Sequence, residues 1–303
     1  MKHDVESFER AASFVRRTVY SSDPGGVGLR SQFQALLAVW LAGKAGATRA
    51  ASHLEACSAS TQEAIEQESR AGSFDPYQHD PKLLLLSRVA MRECGIDSPA
   101  LARFSCEIAE ATRMMRLIPA RLSGVVLLLE VLNDLPTGTT STIDLQLRAP
   151  DRSLLRLDPS EVRAICNQIA ASSLFGLRPL PARSAARIRS QLPIMMLQRL
   201  REYDLMLGAV TIRTLKYLGA GACEEVAQAI EYLLSQQQVD GRFGFYAPEL
   251  SSGMELQNAD LELYLPVTVS VLWALAEVSV RGFSLVGTTC APTRAPGRRT
   301  TPS

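Results

Sequence analysis

Apolar residues recur at intervals of three and four along most of the chain, the spacing that gathers them on one face of an α-helix. Over residues 4–20 the recurring positions are Val5, Phe8, Ala12, Val15 and Val19. The same spacing predicts ten further helices, over residues 29–43, 60–70, 81–94, 99–115, 119–133, 159–173, 185–203, 204–218, 223–238 and 261–280. Eleven helices joined by short segments indicate an all-α fold.

Three of the predicted helices begin at a proline that follows a capping residue. The pairs are Asp80-Pro81, Ser98-Pro99 and Asp158-Pro159. Proline suits the first helical position because its missing N–H group has no partner there in any residue. Glu161, three residues after Asp158, completes the pattern of a capping box, so this start is the most strongly marked.

One segment departs from the helical spacing. Ile143, Leu145 and Leu147 alternate with polar residues, and Pro150-Asp151 then supplies a turn. Such alternation before a turn predicts a small β-hairpin near residues 142–157. An irregular loop is the alternative interpretation.

The last residues differ in composition from the rest of the 303-residue chain. Residues 286–303 consist mainly of Thr, Pro, Gly and Arg, with almost nothing to bury, which predicts a disordered tail. The chain as a whole is 47% hydrophobic. Residues 1–285 therefore carry enough apolar side chains to fold as one helical domain.

Charge and hydropathy argue against two classes of partner. Lys plus Arg is 32 and Asp plus Glu is 31, so the surplus of basic residues that nucleic-acid binding needs is absent. The densest apolar run, Val125 to Leu129, ends at Glu130 and is far shorter than the roughly 20 residues of a membrane span. We therefore expect neither nucleic acid nor a membrane span, and the first residues show no secretory signal.

Cysteine and histidine usage argues against a metal centre. The six cysteines include no CxxC pair, and the three histidines all lie before residue 80. Zinc sites need clustered thiolates and imidazoles, so no metal and no cofactor is expected. Cysteines of this kind are typical of reduced, packed side chains in a cytoplasmic protein.

The most specific motif occupies residues 228–243. An apolar stripe runs along the predicted helix, Gln237 ends that helix, and Asp240-Gly241 makes a turn. Phe243 then returns an apolar side chain beneath the joint. A glutamine at such a joint can bond the unpaired carbonyl groups of the helix end and the amides of the next turn.

This motif resembles the QW repeat of the terpene cyclases and protein prenyltransferases, in which outer helices of an α/α toroid are joined to inner ones. The matching positions are Ala229, Tyr232, Leu233, Gln237, Gly241 and Phe243. Phe243 stands where tryptophan is usual. The resemblance implies an α/α toroid of about five or six helical hairpins.

Two shorter segments extend the resemblance. Ser173-Leu174-Phe175-Gly176 and Glu202-Tyr203-Asp204-Leu205 are similar to segments of a bacterial family of uncharacterised function with the same predicted fold. That family is often encoded near natural-product genes. Trp273-Ala274-Leu275 looks like part of the inner helix that follows a QW repeat.

The resemblance also implies where chemistry would occur. Terpene cyclases protonate an alkene with an Asp-x-Asp-Asp motif, and the nearest segment here holds Asp260 and Glu262. If the last inner helices start at the same end of the ring, these acids lie near Asp204 and Tyr264 at the mouth of a cavity. Asp260 and Glu262 would then donate or relay a proton, with Asp204 and Tyr264 orienting. Alternatively, the acids only complement helix dipoles.

Two functions from different classes follow. The first is a metal-independent cyclase or isomerase that acts on an apolar small molecule or peptide in a central cavity, within a biosynthetic pathway. The second is a non-catalytic toroid that binds a peptide or a partner enzyme. An enclosed cavity favours the first, and a filled ring with an exposed apolar patch favours the second.

Overall fold

The structure, a computed structural model, describes residues 2–20, 27–116, 118, 122–139, 153–180, 182–245 and 260–279. Within these ranges it consists of α-helices and short turns, without a strand, so the predicted all-α class is confirmed. The helices are α1 Lys2–Tyr20, α2 Leu29–Lys44, α3 Thr48–Ala71, α4 Pro81–Glu93, α5 Pro99–Met114, α6 Ser123–Val131, α7 Pro159–Ser172, α8 Ala182–Arg201, α9 Leu205–Tyr217, α10 Glu224–Ser235 and α11 Leu265–Ser279.

All three predicted proline starts are confirmed, since α4, α5 and α7 begin at Pro81, Pro99 and Pro159, but Ser98 makes no side-chain capping bond. Asp80 accepts a hydrogen bond from the backbone N–H of Lys82, 2.9 Å away, at the start of α4. Asp158 and Glu161 form the capping box of α7. α3, however, begins at Thr48 instead of residue 60, because its first half buries small side chains such as Ala50 and shows no strong apolar spacing.

The predicted hairpin is not found where the structure describes its end. Leu154–Arg156 is a single turn of 3-10 helix, and Leu154 is buried. Its backbone N–H donates to the side-chain oxygen of Gln191 on α8, 2.9 Å away, which holds the segment against that helix instead of a second strand. Residues 142–152 and the predicted tail at 286–303 lie outside the described residues.

Six helices contact one another in an order that returns to its start. α2 packs on α4, α4 on α6, α6 on α7, α7 on α9, α9 on α11, and α11 on α2. We call these six the central helices. The peripheral helices, α1, α3, α5, α8 and α10, pack against them from outside this order of contacts. α6 and α11 are apolar on nearly every side, as expected of helices with neighbours all round.

The central helices before and after residue 140 form two parallel sets. In the first set, Trp40 near the end of α2 donates to Glu93 at the end of α4, and Arg92 of α4 donates to the carbonyl of Leu132 after α6. These contacts join like ends, so α2, α4 and α6 run in one direction.

The second set consists of α7, α9 and α11. Met206 at the start of α9 accepts a bond from Ser270 in the first half of α11, and Tyr217 at the end of α9 donates to Glu277 near the end of α11. The Phe175 ring, just after α7, also meets Tyr217. α7, α9 and α11 therefore run parallel to one another.

The two sets run in opposite directions. Phe175 at the end of α7 packs on Gly124 in the first turn of α6, where an added Cβ would lie 3.3 Å from the ring. Lys82, in the first turn of α4, contacts the same glycine. The starts of α4 and α6 thus face the ends of α7 and α9. Among the described elements, α6 is followed by another central helix, α7, and not by a peripheral one.

The joint after α10 has the turn expected from the sequence but different partners. Gln237 accepts from the hydroxyl of Ser7 at 2.7 Å and donates to the carbonyl of Ser7 at 2.8 Å and of Gly241 at 3.2 Å. The glutamine therefore fastens the end of α10 to α1. Phe243 is fully buried, and its N–H donates to Thr268 of α11, which fixes the far side of the joint.

Among the described residues, one helical stretch, Asp260–Val278, is long and apolar enough to cross a membrane by length and composition. Its most apolar 18 residues are 67% buried inside the fold, as is usual for a helix of a protein core. The densest apolar run of the sequence, Val125 to Leu129, lies elsewhere, on α6. The cytoplasmic location stays a prediction.

Candidate functional site

A cavity of about 310 Å³ lies between the central helices, and all six contribute to its wall. One lining residue from each, in chain order, is Leu37, Leu86, Gly124, Ala170, Val210 and Val269. The volume is at the lower end of the roughly 300–1,000 Å³ that small-molecule sites occupy. Most of the wall is apolar, and the volume suits a small ligand.

Three aromatic rings form one side of this cavity. Phe175 stacks on Trp273, with ring centres 6.2 Å apart and planes inclined by 24°. Tyr217 meets Phe175 edge-on at 6.2 Å. Offset stacking and edge-to-face contacts are the arrangements that aromatic rings prefer, so the three rings hold one another in place.

An uncommon backbone segment places Phe175 in the wall. Leu174, Phe175 and Gly176 all have positive φ, at 49°, 54° and 85°. The left-handed conformation costs a residue with a side chain about 1–2 kcal/mol, so two such residues in succession are held there by their surroundings. The Ser173 hydroxyl accepts the N–H of Gly176 at 3.1 Å and closes the turn.

Arg213 is the most unusual polar residue of the cavity. Its guanidinium carbon lies 4.0 Å from the centre of the Trp273 ring, a cation–π contact. Its Nε atom is buried and has no hydrogen-bond partner. Burial lowers the pKa of Arg213, which the neighbouring Tyr217 and Glu277 oppose. The cation is thus held on its face but not, among the described residues, through its N–H groups.

A buried carboxylate stands close to this cation. Glu277 has a fully buried side chain and accepts from the Tyr217 hydroxyl at 3.1 Å, from Trp273 Nε1 at 3.3 Å and from Lys216 Nζ at 3.1 Å. Burial raises the pKa of Tyr217 well above its ordinary value, and the charge of Glu277 adds to that shift. Glu277 therefore holds Trp273 and Tyr217 in place and pairs with Lys216.

Three charged residues line the cavity itself: Asp80, Lys82 and Arg213. Asp80 is exposed and caps α4, whereas Lys82 is half-buried beside Gly124. The first two charges offset each other, so the lining carries the single positive charge of Arg213. Within the described residues, no group of three His, Cys, Asp or Glu side chains is placed to hold a metal ion.

The predicted residues Asp260 and Tyr264 are brought together by a third residue. Asp260 accepts a bond from Arg242 Nη1 at 2.8 Å, and the Arg242 guanidinium lies 4.6 Å from the centre of the buried Tyr264 ring. Asp240 also pairs with Arg242, at 3.0 Å. Burial raises the pKa of Asp260, and the charge of Arg242 acts against that shift.

The predicted residues Asp204 and Glu262 lie apart from this pair. Asp204 accepts the N–H of Leu207 at 2.9 Å and caps α9, and it borders a shallow depression beside Val267 of α11. Glu262 is exposed. α9 and α11 therefore start at the same end, as expected, yet none of Asp204, Asp260, Glu262 and Tyr264 lines the central cavity. Their catalytic roles stay a prediction.

Sequence reasoning missed the polar residues that do face the cavity or support it. Glu277 is the single charged residue of α11, which is otherwise mostly apolar and buried, and this was the signal in the sequence that pointed to an internal role. Arg213 carried no such signal, because α9 also holds Lys216 and two threonines.

Comparisons of the chain with protein-family models, with curated proteins and with solved structures found no match.

Proposed function

We propose that the chain is an α/α toroid whose central cavity binds an apolar small molecule, as the resemblance to terpene cyclases and prenyltransferases implies. The observation that carries the proposal is that one cavity receives side chains from all six central helices. Those helices contact one another in a closed order, which supports the toroid. The two opposed sets of helices distinguish this arrangement from a ring of uniform direction.

The cavity favours a small molecule over a peptide or a partner enzyme. A space of about 310 Å³ between the helices matches a compact ligand in size, whereas peptides are usually held in longer grooves or along sheet edges. The aromatic rings of Phe175 and Trp273 offer flat apolar surfaces for such a ligand. A biosynthetic role on an apolar metabolite in the cytoplasm remains part of the same proposal.

The test is a pair of substitutions with the same chemistry. Val210→Phe fills the cavity, because Val210 lines it, and Val239→Phe adds the same ring at a position that is 93% exposed. With 1-octanol as a neutral apolar probe, calorimetry should show saturable binding to the parent chain and to Val239→Phe. Binding should be lost in Val210→Phe. Equal binding to both variants would refute the proposal.

Acid catalysis at Asp260, in the π-helical turn Asp260–Tyr264 that leads into α11, is a second candidate function. The observation that favours it is the raised pKa of Asp260, since a carboxyl that keeps its proton to higher pH is better able to donate it. Direct titration of the Asp260 carboxyl carbon by NMR tests this. A pKa at or below the ordinary value of 3.8 would remove Asp260 as a proton donor.

A further inference from the structure

We propose that the cavity binds a small organic acid, with a single carboxylate on Arg213 and an apolar body against the aromatic wall. This inference rests on the proposed function and names the class of ligand that the cavity takes. Its first support is the Nε atom of Arg213, which is buried without a hydrogen-bond partner although the residue as a whole is only half-buried, because buried polar atoms normally have a partner.

The N–H groups at the edge of the Arg213 guanidinium are available to a ligand. The Trp273 ring covers the guanidinium face at 4.0 Å, so hydrogen bonds form only in the guanidinium plane. No described side chain makes such a bond, and the Nε atom is buried without a partner. A carboxylate matches the planar fork of arginine with two parallel bonds, which makes it the natural in-plane partner.

The acid nearest to Arg213 does not serve as that partner. Glu277 already accepts from Tyr217, Trp273 and Lys216, and no hydrogen bond joins it to Arg213. Lys216 and Glu277 neutralise each other as an ion pair at 3.1 Å. The charge of Arg213 is therefore not cancelled by a direct contact within the described residues.

The net charge of the site selects a monoanion. Asp80 and Lys82 offset each other at the wall, which leaves one positive charge on Arg213. A carboxylate brings one negative charge and makes the occupied cavity neutral. A phosphate monoester carries about −1.5 to −2 at pH 7 and would place an uncompensated charge in a mostly apolar space.

The apolar part of the ligand is specified by the wall. Leu86, Val210 and Val269 face the same space as the Phe175 and Trp273 rings. An alkyl or aromatic group of modest size gains by leaving water for such a wall, by about 25 cal/mol for each Å² buried. The ligand is therefore an amphipathic acid with its charged end at Arg213.

Three probes of equal chain length test the inference by calorimetry: octanoate, 1-octanol and octyl phosphate. The parent chain should bind octanoate at least tenfold more tightly than either of the other two. Arg213→Met should lose that preference while keeping its affinity for 1-octanol, and Arg213→Lys should keep part of it. Arg103→Met, at an exposed arginine on α5, is the matched control and should behave like the parent chain.

The outcomes separate the two proposals. Equal binding of octanoate and 1-octanol to the parent chain, or an unchanged preference in Arg213→Met, would overturn the organic-acid ligand and leave the apolar cavity intact. Tighter binding of octyl phosphate than of octanoate would overturn the monoanion. Failure of all three probes to bind would count against the proposed function itself.

Discussion

The charged residues near the starts of α9 and α11 and those further along the same helices have different kinds of partner. Near the starts of the two helices, Asp204 caps α9, and Asp260, in the turn Asp260–Tyr264 before α11, pairs with Arg242, so each described acid there that is not exposed has a partner supplied by the fold. Further along the same helices, Glu277 accepts three side-chain hydrogen bonds, while the described residues give Arg213 only an aromatic face. Pairing accounts for the first end as structure, and the unpaired cation at the second end points to a ligand.

The largest effect is expected from removing the buried acid. Glu277→Ala removes the ion-pair partner of Lys216, a carboxylate that acts on Arg213, and the acceptor of Tyr217 and Trp273. Breaking a buried ion pair destabilises a protein by about 3–5 kcal/mol. Chemical denaturation measures the loss.

Two controls sharpen that result. Glu277→Gln keeps an acceptor oxygen and should lose less free energy of unfolding than Glu277→Ala. Glu202→Ala removes a partly exposed pair with Arg199 and should lose less than about 1 kcal/mol. Equal losses in Glu277→Ala and Glu202→Ala would contradict the view that Glu277 organises the cavity wall.

The next effect concerns the turn that carries Arg242 to Asp260. Gly241 has φ of 102°, and a Cβ there would lie 2.0 Å from the carbonyl oxygen of Arg10. Gly241→Ala should therefore lower the free energy of unfolding by about 1–3 kcal/mol. Gly219→Ala, which has positive φ but open space, isolates the backbone strain and should lose only about 1 kcal/mol. A smaller loss of unfolding free energy in Gly241→Ala than in Gly219→Ala would show that the backbone of α1 does not lie close to Gly241.

Substitution of Arg213 should change the free energy of unfolding in the opposite direction. An arginine with an unpartnered Nε and a pKa lowered by burial is poorly solvated, so Arg213→Met should stabilise the ligand-free chain by about 1 kcal/mol. Thermal unfolding without added ligand measures the shift. A lower melting temperature for Arg213→Met would mean that a structural partner holds the guanidinium, and the contrast with Glu277 would disappear.

The smallest effect is a pH dependence at Asp260. Because its pKa is raised in the folded chain, the native state binds more protons than the unfolded state between 3.8 and that raised value. Stability therefore falls as pH rises through this window, and the contribution is complete below 3.8. Asp260→Asn should remove that fall in denaturation curves taken across the window. An identical pH profile in both chains would show that Asp260 titrates normally.

The helices could be predicted from sequence because each buries a regular apolar stripe. Asp80 and Asp158 marked two starts correctly, since capping depends only on neighbours in the chain. The first half of α3 was not predicted, because small side chains such as Ala50 pack closely without a strong apolar pattern. The opposed directions of the two helix sets depend on how α6 is connected to α7, which no local pattern encodes.

The candidate site was less predictable than the fold. The acids at 204, 260 and 262 were conspicuous in sequence because they stand at helix starts, where acids are common for reasons of the dipole. Phe175 belonged to a segment singled out by resemblance, yet its place in the cavity depends on two successive left-handed residues. Arg213 and Glu277 meet only when α9 and α11 pack side by side, so their relation required the tertiary structure.

The central claim is that the cavity between the six central helices is where a ligand binds, and Trp273 reports on it directly. The chain has two tryptophans, so Trp40→Phe leaves Trp273 as the only source of tryptophan fluorescence. Octanoate should shift the emission of Trp273 saturably, with the same midpoint as calorimetry, and Val210→Phe should abolish the shift. Calorimetric binding of octanoate without any change in Trp273 emission would place the ligand elsewhere and contradict the account.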